Sequence, residues 1–200
     1  MSATQYPVFT VGHSNHSPET FVQLLQQHDI AEVMDVRSTP YSRHIPHFNS
    51  ESLNRMLEGM GIGYVFLGRE LGGRPSDRSC YDTKGRVRYD RVANTALFDA
   101  GLRRVMRDSN ERRLALMCTE KEPLECHRTL LVARILSERG VAVEHILADG
   151  RIENHSAAMD RLLDMFKLPH DGDMFTSRAE VIADALTRQV QRVAYIGEKS

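Results

Sequence analysis

The chain has 200 residues, of which 41% are hydrophobic and 26% charged, and its formal net charge is −1. That length suffices for one domain with its own core, and that charge supplies no general attraction to nucleic acid or to a membrane surface. Three cysteines, Cys80, Cys118 and Cys126, are too few and too odd in number for a disulfide framework, which points to a reducing, cytoplasmic setting. The N-terminal residues show no basic-then-apolar leader, and no apolar run reaches the length of a membrane span.

Val8 to Val11 reads as a short buried strand, followed by the loop Gly12-His13-Ser14-Asn15-His16. Ser17 then caps a helix with Pro18 at its first position and Phe21, Leu24 and Leu25 on its apolar side. Ile30 to Val36 is a second strand; its end, Asp35-Val36-Arg37, puts a carboxylate and a guanidinium two residues apart, on one face. A structured loop from Ser38 leads to a helix capped by Asn49 or Ser50, over Leu53, Met56, Leu57 and Met60. Tyr64 to Leu67 is the third strand. From Gly68 to Asp90 the pattern is irregular, and Arg69 to Arg91 carries seven basic and four acidic residues. A loop of that length inside a small domain is usually functional or mobile. Val92 to Arg107 is expected as one amphipathic helix, Arg113 to Met117 as the fourth strand, and Glu125 to Arg139 as a helix stopped by Gly140. Val141 to Leu147 is the fifth strand, and helices follow at Asn154 to Phe166 and Arg178 to Arg192.

Strands alternating with helices predict an α/β fold: a mostly parallel five-stranded sheet with helices on both faces, in residues 1–150, plus a C-terminal helical extension, 151–200, packed on it. Such sheets bind ligands beyond the carboxyl ends of their strands. Those ends carry Gly12-His13-Ser14, Asp35-Val36-Arg37, Gly68-Arg69-Glu70 and Cys118-Thr119-Glu120, and Cys126-His127-Arg128 stands eight residues beyond Cys118.

Val11-Gly12-His13-Ser14, Asp35-Val36-Arg37-Ser38, Tyr64 with Leu71-Gly72-Gly73-Arg74, and Cys118-x-Glu120 with Cys126-His127-Arg128 together resemble the bacterial domain of unknown function family number 488. The resemblance runs over most of residues 8 to 147 and implies an α/β domain without an established activity. A looser similarity to rhodanese-like domains passes through Asp35-Val36-Arg37 and His44-Ile45-Pro46, but no Cys here heads a compact loop of the rhodanese kind.

The residues themselves point first to an enzyme, a hydrolase or transferase, acting on a phosphate- or anion-bearing substrate such as a nucleotide or modified base. Cys118 is the candidate nucleophile, Asp35 or Glu120 the proton carrier, and His127 the group that tunes the thiol. Gly12, His13, Ser14, Arg37, Arg74, Cys126 and Arg128 are the candidates for substrate binding, with Arg suited to forked contact with an anion. The skew to Arg, 22 against 4 Lys, is equally a product of base composition. For Cys118 the plain alternative is a small buried hydrophobe, and for Arg128 a surface ion pair. A second reading is a nucleic-acid accessory module that presents the Arg69–Arg91 loop to phosphates. A third is a metal-dependent enzyme with Cys and His ligands; Cys-x7-Cys-His matches no structural zinc spacing, and adjacent Cys126 and His127 are expected to diverge at a helix start, so no metal ligand is assigned. Neither the cofactor nor the oligomeric state is legible.

Overall fold

The computed structural model describes residues 6–172 and 174–197. Residues 1–5 of the N-terminal stretch, residues 198–200 of the helical extension, and Asp173 lie outside the described residues. The strands are β1 (Val8–Gly12), β2 (Glu32–Asp35), β3 (Gly63–Phe66), β4 (Leu114–Cys118), β5 (Val143–Ile146) and β6 (Ile152–Asn154). The helices are α1 (Pro18–Gln27), α2 (Ser50–Glu58), α3 (Gly68–Leu71), α4 (Tyr89–Ala93), α5 (Ala96–Asp108), α6 (Arg134–Glu138), α7 (His155–Met165) and α8 (Arg178–Val193).

One sheet runs in the order β3-β2-β4-β1-β5-β6. β1 and β4 lie at its centre and are buried along their whole length, as their largely apolar sequences require. The register aligns Gly12 with Cys118 and Asp35 with Met117, so the carboxyl ends of three neighbouring strands stand in one row. On one face α1 and α2 close a core of Phe9, Phe21, Leu25, Val33, Leu53 and Met117. On the other, α5, α7 and α8 share a larger core containing Met34, Leu116, Phe98, Leu102, Leu162 and Ala185. Among the described residues no helix is long and apolar enough to cross a membrane.

The sheet is mixed and six-stranded rather than mostly parallel and five-stranded. β6 pairs antiparallel with β5 through a turn in which Gly150 holds φ 83°. Three residues are too few to show an alternating pattern, so the hairpin was hidden in the approach to α7. The helix expected over Val92 to Arg107 is two helices, because Thr95 interrupts it and caps α5 by accepting from Phe98 N at 3.2 Å. The irregular stretch from Gly68 to Asp90 is pinned rather than loose. Cys80, Val87 and Tyr89 are buried in the larger core, and Tyr81 bridges Val87. The C-terminal tail closes over it: Val87 N donates to Tyr195 O at 2.9 Å and Gly197 N to Gly85 O at 2.8 Å.

The helix expected from Glu125 starts later. Pro123–Glu125 forms a 3-10 turn, Cys126 is extended at φ −129° and ψ 139°, and His127 is the first residue in helical conformation. Arg128–Ala133 is then wound as a π-helix before α6 begins.

Replacing Thr95 with Ala removes the α5 cap and is expected to lower stability by about 1 kcal/mol. Urea unfolding of Thr95→Ala and wild type, read at equal slope, checks this; Thr95→Gly should cost less.

Candidate functional site

Gly12, at the end of β1, lies against the start of the loop after β4. A Cβ added there would collide with the Glu120 carbonyl, so only glycine lets the two strand ends close up. Arg128 holds the same loop from below. Its guanidinium is fully buried and donates to Glu120 O at 2.6 Å and Lys121 O at 3.4 Å.

The loop so fixed delivers Glu120 between two thiols. Oε2 of Glu120 is 3.0 Å from Cys118 Sγ and 2.9 Å from Cys126 Sγ. His127 completes the group, with Nδ1 at 3.8 Å from Cys118 Sγ and 3.9 Å from Cys126 Sγ. The other ring nitrogen is 3.0 Å from Val36 O. A carbonyl only accepts, so Nε2 carries the hydrogen there and Nδ1 is left facing the sulfurs. Because Cys126 is extended, its side chain and that of His127 converge, contrary to the divergence expected at a helix start.

The two thiols ionise unequally. The hydrogen bond to Cys126, with burial next, pushes the Cys118 thiol well above its ordinary value. Burial opposes ionisation of Cys126, but the Cys118 hydrogen bond and the charges of Arg128 and His127 outweigh it and hold its thiol well below the usual range. Burial, followed by the Cys126 charge, raises the Glu120 carboxyl. Burial opposes protonation of His127, and its hydrogen bond and attraction to Cys126 overcome that, so its pKa rises.

A second polar network flanks the first. Arg37 grips the Asp35 carboxylate with Nε at 2.9 Å and a terminal nitrogen at 2.6 Å, and Tyr64 Oη donates to the same carboxylate at 2.9 Å. The remaining Arg37 nitrogen is 3.1 Å from His13 Nε2, while His13 Nδ1 is 2.9 Å from Ser14 O. Burial, with the Arg37 charge second, lowers the His13 pKa to about 4. His13 is therefore neutral near pH 7: it donates to Ser14 O and accepts from Arg37. Its ring stacks on Phe48 at 4.4 Å.

A cleft of about 410 Å³ opens over both networks, and Cys118, Glu120, His127, Arg37 and Arg74 are among the residues lining it. Arg74 is different in kind from Arg37: among the described residues it has no carboxylate partner, and its guanidinium lies over the Tyr195 ring at 4.4 Å. Ser38 Oγ accepts from Arg74 N at 2.9 Å and fixes the backbone that carries it. A Cβ at Gly73 would sit 2.8 Å from His127 Cγ, so that glycine lets the loop close over the imidazole.

Of the residues singled out from sequence, the structure thus brings Cys118, Glu120, His127, Arg37 and Arg74 to one cleft, with Cys126 directly behind. Asp35 is spent on Arg37 and Tyr64, and His13 on Arg37 and Ser14; neither lines the cleft. Gly12 and Arg128 shape the loop, and Ser14 holds a turn at φ 49°. The structure adds Thr39, Tyr41, Tyr89, Glu125 and Tyr195 to the lining. Tyr89 came from the stretch read as irregular and Tyr195 from the far C-terminus, where no local pattern marks a site. Within the Arg69–Arg91 segment several basic residues have partners on the exposed surface: Arg88 pairs with Asp90, Arg91 donates to Ser79 O and Tyr81 O, and Arg86 donates to Gln191 O.

The site is thus a strand-end cleft floored by two buried thiols, a carboxyl and an imidazole on a doubly covered α/β sheet. The profile of the domain of unknown function DUF488 matches residues 17–135, more than half of the chain, and the chain belongs to that family. The match spans Asp35, Arg37, Arg74, Cys118, Glu120, Cys126, His127 and Arg128, and begins after His13. No curated protein and no solved structure matches the chain.

Two outcomes follow from this geometry. Gly12→Ala should displace the Glu120 loop and lower the melting temperature by several degrees, with Gly72 and Gly73 intact as a control. His13 and His155 are each held neutral, their pKa lowered to about 4, chiefly by burial. The unfolded chain therefore binds more protons between pH 6.5 and about 4, and stability is present above that window and lost as pH falls through it. The loss amounts to roughly 3 kcal/mol per histidine at the acid end. Denaturant midpoints across that range should fall, and His13→Gln or His155→Gln should flatten the slope.

Proposed function

We propose that the protein is a cytosolic enzyme, a hydrolase or transferase, that acts on a small substrate bearing a phosphate or another anionic group in the cleft at the ends of β1, β2 and β4. One observation carries the reading: Arg74, a cation without a carboxylate partner among the described residues, faces the same cleft as Cys118, Glu120 and His127. Arg37 lines that cleft too, but Asp35 already neutralises it, so its part is to orient. Arg74 then anchors the anion, pre-positioned by the Tyr195 ring and by Ser38. Thr39 and Tyr41 offer hydroxyls at the mouth. Glu120, whose pKa is raised by burial, is the group suited to accept and return a proton. The substrate's reacting atom would lie over Cys118 and Glu120, while its anionic end meets Arg74.

The free thiols Cys80, Cys118 and Cys126 fit a reducing compartment. A nucleotide or modified base suits the combination of a cation and the aromatic rings of Tyr41, Tyr89 and Tyr195 in one cleft.

Ligand-observed nuclear magnetic resonance against phosphorylated, nucleotide and carboxylate compounds tests the reading. Arg74→Ala is expected to weaken binding of the anionic hits at least tenfold with the melting temperature unchanged. Glu120→Gln is expected to keep binding and to lose turnover of any converted hit by a hundredfold or more. Hits that bind Arg74→Ala as tightly as wild type would remove the proposal.

A further inference from the structure

The thiol cluster has the composition and spacing of a metal centre. Cys118 Sγ, Cys126 Sγ and a His127 ring nitrogen all lie within 4.8 Å of one another. A tetrahedral zinc ion takes sulfur at about 2.3 Å and nitrogen at about 2.0–2.1 Å, which sets each sulfur–nitrogen edge at about 3.6 Å. The observed edges, 3.8 and 3.9 Å, are a few tenths longer. The outer contacts are also those of a ligand set. His127 is oriented through Nε2 by Val36 O, which turns Nδ1 toward the sulfurs. Arg128 N approaches Cys126 Sγ at 3.5 Å, and Arg128 grips the Glu120 backbone.

Charge balance points the same way. Two buried thiols meet the Glu120 carboxyl at 2.9 and 3.0 Å around one oxygen. The nearest buried cation, Arg128, spends its hydrogen bonds on carbonyls instead. A divalent ion among these groups would balance the charge of two thiolates.

We propose that Cys118, Cys126 and His127 bind one divalent transition-metal ion of the zinc type, with Glu120 beside a fourth position that opens on the cleft. Two thiolates and an imidazole select a borderline-soft ion and discriminate against magnesium and calcium. Three protein ligands with one open position are the arrangement of a catalytic zinc site, and a neighbouring carboxylate is placed to take a proton from a bound water.

The test uses full-length protein without a metal-affinity tag, purified under reducing conditions from zinc-supplemented culture. Elemental analysis should find about one equivalent of zinc. Exchange with Co2+ should give the intense thiolate-to-cobalt charge-transfer band and visible bands of tetrahedral strength. Cys118→Ser and His127→Ala should each lose the ion and the band while keeping their circular dichroism, and Mg2+ should not restore them. Should either variant fail to fold, the cobalt spectrum of the wild type still decides the ligand type. Wild-type protein without metal and without a cobalt band, a Cys118–Cys126 disulfide formed under those conditions, or a full equivalent of zinc retained by the folded variants would each overturn the proposal. Arg74-dependent anion binding in a protein that takes no metal would sink this inference alone; a loaded metal site in a protein that binds no anion would sink the proposed function alone.

Discussion

The site is built on a buried positive charge. Arg128 is 0% exposed, and no carboxylate side chain contacts its guanidinium among the described residues. An unpaired guanidinium in such a place is costly. Two features offset the cost. The carbonyls of Glu120 and Lys121 accept from it, and the Cys126 sulfur beside it favours the thiolate. The dependence is mutual: Arg128 makes the Cys126 charge tolerable, and Cys126 makes the Arg128 charge tolerable. Because Arg128 reaches the loop through backbone carbonyls, it dictates the path of the chain at Glu120. Gly12 permits that path by leaving no Cβ in its way. One constraint therefore sets the position of the carboxylate, the ionisation of one thiol and the close approach of β1 and β4.

The backbone after Cys126 shows how the side chains are made to converge. An α-helix beginning at Glu125 would send neighbouring residues about 100° apart around its axis. The 3-10 turn, the extended Cys126 and the π-helical Arg128–Ala133 replace that helix. The result is that two adjacent residues, Cys126 and His127, face a third, Cys118, eight residues earlier. Wide π turns are uncommon and recur at functional sites because they re-aim side chains at the expense of regular hydrogen bonding. Here the wide turn follows directly on the clustered residues.

That backbone detail also marks the limit of what was legible in the sequence. The alternation of elements, the strand ends and their reactive residues could be read, since apolar runs at β1 and β4 and caps such as Ser17 are local signals. So could the grouping of Cys118, Glu120, Cys126, His127, Arg37 and Arg74, because parallel strands deliver their ends to one edge. What could not be read depends on geometry without a local pattern. β6 is three residues long, Thr95 breaks a periodicity that its neighbours continue, and Tyr195 meets Arg74 across 120 positions of chain. The roles of the individual cations were equally hidden. Arg37, Arg74 and Arg128 are alike in sequence, and only their partners distinguish a neutralised orienting group, an open anchor and a buried clamp.

The three arginines divide the site by depth. Arg128 lies beneath the thiols and is sealed from solvent; Arg37 stands at the wall, matched by Asp35, Tyr64 and a neutral His13; Arg74 stands at the mouth. Field from the inner two is largely absorbed by the groups they touch, so an entering anion meets mainly the charge of Arg74. On the proposed reading an anionic substrate group therefore rests at the Arg74 end, and the rest of the substrate extends toward Cys118, Glu120 and His127. The cleft so divided has a direction, with an open cation at one end and the thiol cluster at the other.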